Sequence, residues 1–171
     1  NSSHTDRVMR PSWDETWLAV ADVVAQRSQC ARRQVGAVIV TAHNRPVSTG
    51  YNGPPAGLQP NPICSGTHQA ENHGDCCMAI HAEANALLFA ARSQYEGGTI
   101  YVNHLCCYHC AKLIANSGLA RVVIQFENSS RDASKATALL ANSGLEVTII
   151  ERQAHDEPPS GDAPVSTHAS D

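Results

Sequence analysis

The chain has 171 residues, of which 42% are hydrophobic and 16% charged, the proportions of a globular domain and not of a mainly disordered protein. One buried core suffices at this length, which disfavours two independent domains and any need for disulfide staples. Sixteen acidic against twelve basic residues leave a net charge of −4, and the ten arginines and two lysines are spread along the chain, so no nucleic-acid partner is expected. No stretch reaches the roughly 20 apolar residues of a membrane span and no basic segment leads into an apolar run, so the expected location is cytoplasmic, with no membrane partner. Seven cysteines, an odd number, accompany nine histidines and point to metal or thiol chemistry over a disulfide framework.

Residues 1–11 are set apart as a flexible N-terminal extension. Ser12 and Glu15 form a capping box, and Trp13, Trp17, Val20 and Val24 follow at helical spacing, which predicts an amphipathic helix over residues 13–27. Two β-branched runs, 35–41 and 46–51, flank the turn-forming segment Ala42, His43, Asn44, Arg45 and read as a hairpin. Residues 53–75 hold four of the nine prolines with little periodicity and read as a long irregular loop. Residues 79–91, rich in alanine and leucine and free of Gly and Pro, read as one buried helix, and 99–103 as a strand.

Two similar runs follow, ANSGLARVVI from Ala115 and ANSGLEVTII from Ala141, each placing a glycine where a helix would stop and a β-branched strand just after. With a helix of about ten residues between them, the strands 121–126 and 146–150 are expected to be parallel, joined by a right-handed crossover. The fold class is therefore α/β, a five-stranded mixed sheet with helices on both faces and its last two strands parallel. The domain spans 12–152, and the Pro-, Ser- and Asp-rich residues 153–171 read as a disordered tail.

The chemistry concentrates in two short motifs. His81 and Glu83 stand two apart at the start of a helical segment, and Cys107 and Cys110 stand three apart at the start of another. One imidazole and two thiolates fill three corners of a zinc tetrahedron and leave the fourth for water, the arrangement of a catalytic site. A helix start favours thiolates through its unpaired N–H groups. Zinc lowers the pKa of its bound water to about 7. Glu83 as a fourth ligand would fill the open corner, so it reads as the proton carrier between that water, a substrate ring nitrogen and a departing amine. The pattern H-x-E followed by C-x-x-C is the signature of zinc-dependent nucleobase deaminases. The plainer alternative makes His81 and Glu83 a polar helix start and the cysteines buried apolar residues.

From about Trp13 to Ile150 the sequence resembles the deoxycytidylate (dCMP) deaminase family, on PSWDETW, RSQCARRQVGAVIV, STGYNGPPAG, AIHAEANALLFAA and YVNHLCCYHCAKLIANSGLARVVI. The resemblance implies a three-layer cytidine-deaminase-like fold and conversion of dCMP to dUMP and ammonia, with zinc-bound hydroxide attacking C4 of cytosine. It implies substrate contacts from Asn52 and Gly53 in the GYNGxP stretch. Arg32 is the candidate for the 5′-phosphate, with Arg33 competing for that role. It implies a second, structural zinc on Cys30 and Cys64, for which His73, Cys76 and Cys77 could complete the set. Homo-oligomers, hexamers above all, with dCTP (bound with Mg2+) activating and dTTP inhibiting, also follow from the resemblance alone.

The sequence departs from the family in two places. Cys106 replaces a proline, which loosens the turn without removing a ligand, and Asn103 replaces a threonine or serine. Phe89 and Arg92, three apart, are expected to share a face of the helix over 79–91, with Phe89 in the core. Rival readings are a deaminase of dCTP or of a 5-modified dCMP, a tRNA adenosine deaminase, and a zinc-stabilised interaction module without enzymatic activity.

Overall fold

In a computed structural model, residues 9–30, 32–58, 78–126 and 134–152 are described. The expected N-terminal extension up to residue 8, most of the loop over 53–75, and the tail from 153 lie outside these residues.

Helix α1 (Trp13–Ala25) starts as its sequence dictates. The Ser12 hydroxyl accepts from the Glu15 amide at 3.2 Å while the Glu15 carboxylate accepts from the Ser12 amide at 2.6 Å. It stops two residues short of expectation. Strands β1 (Gly36–Val40) and β2 (Pro46–Tyr51) form the expected antiparallel hairpin. The region read as one helix over 79–91 is different. Residues 79–80 are extended, and Ile80 pairs with Gly53 through two backbone hydrogen bonds. Helix α2 (Ala82–Leu88) begins only after His81, and a second short helix, α3 (Arg92–Tyr95), follows a break at 89–91, where the Gln94 side chain accepts from the Ala91 amide at 2.8 Å.

Phe89 and Arg92 therefore do not share a helix face. Phe89 closes α2 at 73% exposure, outside the core, and Arg92 opens α3, paired with Glu96 at 3.1 Å.

Strand β3 (Thr99–Val102), helix α4 (Tyr108–Ala115), strand β4 (Arg121–Phe126), helix α5 (Ser134–Asn142) and strand β5 (Glu146–Glu151) complete the domain. Gly118 and Gly144 carry φ of 91° and 85°, the left-handed backbone expected where each of the two similar runs leaves its helix. The sheet order is β2-β1-β3-β4-β5, with β3, β4 and β5 mutually parallel and β1 antiparallel to both neighbours. The parallel set is one strand larger than the sequence reading proposed.

Alternation along the strands sorts two cores. On one face Val38, Val40, Tyr101 and Val123 pack against Trp17, Leu18 and Ala21 of α1. On the other, Ala37, Ile39, Ile100, Val102, Val122 and Ile124 pack against α2, α4 and α5. That α2 lies close to the sheet follows from Gly50, where a Cβ would come within 2.2 Å of the Ala82 carbonyl oxygen and 2.4 Å of the Ala86 amide.

A polar fork fastens α1. Arg121 donates to both oxygens of Asp14 at 2.7 and 2.8 Å, and the Tyr101 hydroxyl donates to the same carboxylate at 2.9 Å. Hydrogen bonding from Arg121 above all, together with its charge and the Tyr101 hydroxyl, holds the Asp14 carboxyl below the ordinary carboxylate range.

Two outcomes are expected. Asp14→Asn should cost about 1–3 kcal/mol in urea unfolding at neutral pH. A depressed carboxylate adds stability that is present above its unfolded pKa, near 4, and is lost as pH falls through the folded value. The gap between variant and native protein should therefore close in the acid limb below about pH 4, and a gap that persists there would contradict the assignment. Gly50→Ala should cost about 1–3 kcal/mol by displacing α2 and should lower zinc retention as well, since the start of α2 moves. Elemental analysis beside urea unfolding checks both halves.

Candidate active site

Two helix starts meet at one edge of the sheet, where β2 and β3 end and β1 begins. His81 is the N-cap of α2, with extended backbone (φ −70°, ψ 155°), and Glu83 lies in the first turn. Cys107 is the N-cap of α4, also extended, and its sulfur accepts from the Cys110 amide at 3.4 Å, the service a Ser or Asp oxygen usually performs. The C-x-x-C spacing thus puts one sulfur at the cap and the other in the first turn, both on the side facing α2.

His81 Nδ1 lies 3.3 Å from Cys107 Sγ and 3.5 Å from Cys110 Sγ. Tetrahedral zinc, with its nitrogen ligand near 2.0–2.1 Å and its sulfur ligand near 2.3 Å, separates the two by about 3.5 Å. The three ligand atoms lie within 4.8 Å of one another and could hold a metal ion, the one such group among the described residues. Imidazole with two thiolates is a donor set that suits zinc. Hydrogen bonding from Cys110 above all, then from His81 and the Cys110 amide, pushes the Cys107 thiol below the ordinary thiol range, the direction that suits a metal-binding sulfur.

Glu83 is 3% exposed and outside the ligand group. Burial, the largest influence on it, raises its carboxyl above the ordinary range. Cys106 is buried at 2% exposure and its thiol donates to the Cys107 carbonyl at 3.4 Å. It joins the core and is outside the group of His81, Cys107 and Cys110.

A cleft of about 160 Å³ opens over these groups, lined among others by Arg32, Arg33, Asn52, His81, Glu83, His104 and Cys107. Asn52 is buried, and its side chain is already engaged with protein: Oδ1 accepts from the Val35 amide at 2.8 Å and Nδ2 donates to the Arg33 carbonyl at 2.9 Å. Gly53, next in the chain, pairs its backbone with Ile80, the residue before His81. Arg32 and Arg33 are both exposed on the rim. Cys30 is half-buried beside the same cleft, whereas Cys64, His73, Cys76 and Cys77 lie outside the described residues.

The model of the cytidine and deoxycytidylate deaminase zinc-binding region matches residues 11–126. The chain belongs to this deaminase family. A deoxycytidylate deaminase of Mycobacterium phage D29 is 44% identical over 127 residues, which is 70% of this chain and 98% of that protein. The Homo sapiens deoxycytidylate deaminase is 37% identical over 128 residues, 74% of this chain and 71% of its own. The crystal structure of a dCMP deaminase from cyanophage S-TIM5 in complex with dCMP and dUMP matches with a TM-score of 0.66 at 28% identity, over 83% of this chain and 99% of that one.

Two residues near the cleft had no assigned role in the sequence reading. Buried His104 lines the cleft and meets the Arg33 guanidinium through Nε2, a contact across 71 residues that no local pattern announces. Asn103 bridges three elements, with Oδ1 accepting from the Gly36 amide and Nδ2 donating to Asp22, both at 2.8 Å. Its only sequence signal was its departure from the family's hydroxyl residue.

Replacing a ligand and replacing its neighbour should separate cleanly. Cys107→Ser or Cys110→Ser should weaken zinc retention at least tenfold, a loss of ~10- to 100-fold being typical even for groups one bond removed from a metal. Cys106→Ser should leave zinc content at the native level, and metal loss in that variant would mean that the ligand set is misassigned.

Proposed function

We propose that the chain catalyses hydrolytic deamination of dCMP, giving dUMP and ammonia within the domain 12–152. The observation that carries this reading is a set of three metal donors among the described residues, His81, Cys107 and Cys110, with a buried carboxylate beside it that is not one of them. Structural zinc sites have four protein ligands, whereas three leave a position for a reactant. A relative covered over 98% of its length is a deoxycytidylate deaminase, and a solved neighbour holds dCMP and dUMP, which supports the nucleotide as substrate.

A zinc ion on His81, Cys107 and Cys110 supplies Lewis acidity and water that ionises near neutral pH. Glu83 performs the proton traffic. Its raised carboxyl takes a proton from water and carries it to N3 of the cytosine ring, then takes the second proton of the same oxygen as the C4 carbonyl forms and delivers it to the exocyclic amine, whose C–N bond breaks to release ammonia. The oxygen of water ends as the ring carbonyl, so atoms balance without any redox partner. Asn52 uses one N–H and one lone pair on the backbone and keeps one of each for the sugar or base, with Gly53 giving close approach beside it. Arginine at 32 or 33 meets the 5′-phosphate, its fork matching two phosphate oxygens.

Finer features belong to the same proposal. Cys30 and Cys64, completed from His73, Cys76 and Cys77, hold a second, structural zinc, supported by the family resemblance and the half-buried Cys30 thiol. Exposed Leu88 and Phe89 at the end of α2 offer an apolar surface for a homo-oligomer, with a hexamer favoured. Regulation by dCTP with Mg2+ and by dTTP rests on the resemblance. The enzyme acts in the cytoplasm, and no described helix is long and apolar enough to cross a membrane.

The test is the fall in dCMP absorbance with purified protein, run beside cytidine, dCTP, 5-methyl-dCMP and tRNA. Turnover of dCMP should lead, and Glu83→Gln should keep its zinc while losing roughly 10²–10⁴ in kcat. Full activity in Glu83→Gln would remove the proton-carrier role, and zinc retention with no turnover of any of these compounds by native protein would favour an interaction module.

A further inference from the structure

We infer that Asn103 is a positioning residue for the zinc site: its side chain ends the β1–β3 ladder in place of its own backbone carbonyl and so fixes the point at which the chain leaves the sheet for Cys107. The inference rests on the deaminase reading of the cleft, whose metal ligands it concerns, and deepens it.

An antiparallel ladder closes each hydrogen-bonded pair with two bonds, one from each amide to the carbonyl opposite. Ala37 faces Val102 in the register of β1 and β3, so Gly36 faces Asn103. One bond of that pair is regular, the Asn103 amide donating to the Gly36 carbonyl at 3.2 Å. The return bond is not, because the Gly36 amide donates at 2.8 Å to Oδ1 of the Asn103 side chain. The same substitution stands on the other side of β1, one residue earlier. There the Asn52 amide donates to the Val35 carbonyl at 3.2 Å, and the Val35 amide donates to Asn52 Oδ1 at 2.8 Å. Two asparagines thus close the two ladders of β1. From each of them the chain leads to the metal donors, from Asn52 through the pairing of Gly53 with Ile80 to His81, and from Asn103 to Cys107.

A carboxamide suits this place because it carries a carbonyl of the backbone's own kind on a side chain. The chain can turn away from β3 at Asn103 while the amide of buried Gly36 stays paired. The other end of the carboxamide sets the direction. Nδ2 donates to Asp22 of α1 at 2.8 Å, and Gly36 is pressed against the same helix, where a Cβ would come within 2.0 Å of the Ala21 carbonyl oxygen. The start of β1, the body of α1 and the first residue of the loop are locked together. The loop then runs only to Cys107, which caps α4 and stands 3.3 Å from His81 Nδ1. A displacement at Asn103 has few residues in which to be absorbed before it reaches a ligand atom, and a metal site works only within about 0.5 Å of its proper geometry.

The experiment reads the site without substrate, by zinc affinity in competition with a chromophoric chelator and by the visible absorption of cobalt-loaded protein, which reports how the ligands are arranged around the ion. Asn103→Asp keeps an oxygen for Gly36 but loses the donor and sets a second carboxylate against Asp22. Its zinc affinity should fall about 10-fold, the lower end of what groups just outside a metal's ligands contribute, and its cobalt spectrum should change. Adding Asp22→Asn restores the bond with its polarity reversed and leaves an oxygen for Arg152, so the double variant should return to within threefold of native zinc affinity and to the native spectrum. Asn103→Ala, which removes both side-chain bonds without adding charge, should move both readouts in the same direction as Asn103→Asp and keeps the test decisive if that variant does not fold.

Native zinc affinity and cobalt absorption in Asn103→Ala, beside a lowered melting temperature, would reduce Asn103 to a purely structural bond and overturn the inference. A double variant no better than Asn103→Asp would overturn it as well. No nucleotide enters these measurements, so native protein that turns over no dCMP would sink the substrate reading and leave this one standing, whereas failure here would leave dCMP turnover untouched.

Discussion

The site depends on one geometric constraint, the meeting of two helix starts over the same face of the sheet. His81 and Cys107 are both N-caps, and the atoms they contribute stand 3.3 Å apart only because α2 and α4 pack side by side. Neither helix would hold its place through propensity, being seven and eight residues long, well below the length at which isolated helices persist. Packing holds them. Ala82, Ala86, Ala111 and Ile114 are completely buried against the sheet, and Gly50 lets the backbone of α2 approach β2 closer than any side chain would permit. Small residues thus set the distance between helices, and that distance sets the bite of the metal ligands.

Burial then decides the roles of the titratable groups. Glu83 and Cys106 both lie in the core behind the ligands, and burial raises both, keeping the thiol protonated and the carboxyl ready to gain a proton. Cys107 is driven the other way because donors converge on its half-exposed sulfur. A carboxyl that holds a proton easily and a sulfur that sheds one easily lie on neighbouring helices, the separation of acid and base character that hydrolytic chemistry uses.

What could be read from sequence was whatever chemistry writes locally. Zinc chemistry requires its residue types at helix-start spacing, so His81, Glu83, Cys107 and Cys110 stood out, and capping rules placed Ser12, Gly118 and Gly144 correctly. The strand count and the parallel β4–β5 pair followed from the helix between them. The break after α2 did not, since 79–91 contains neither Gly nor Pro, and it is the tertiary pairing of Ile80 with Gly53 and the Gln94 cap that divide the segment. The expectation of a buried Phe89 failed with it, because a helix ending at Leu88 leaves the next side chain pointing away from the core. The link from Arg33 to His104 and the bridge at Asn103 span 71 and 67 residues or more, and no periodicity carries that information.

Asn103 shows what such a distant contact adds. A hydroxyl at this position would have to accept from Gly36 and donate to Asp22 through a single oxygen. The carboxamide divides the work between two atoms and so spans a wider gap, from the first residue of β1 to the body of α1. Asp22 is held in turn by Arg152, just past β5, whose guanidinium also reaches Gln125 of β4 at 2.8 Å. The loop that carries His104 and Cys107 is therefore anchored at its first residue to β1 and α1, and at its last by the cap of α4. With both ends fixed, five residues have little freedom, and the imidazole facing Arg33 inherits its position from a network on the opposite side of the sheet.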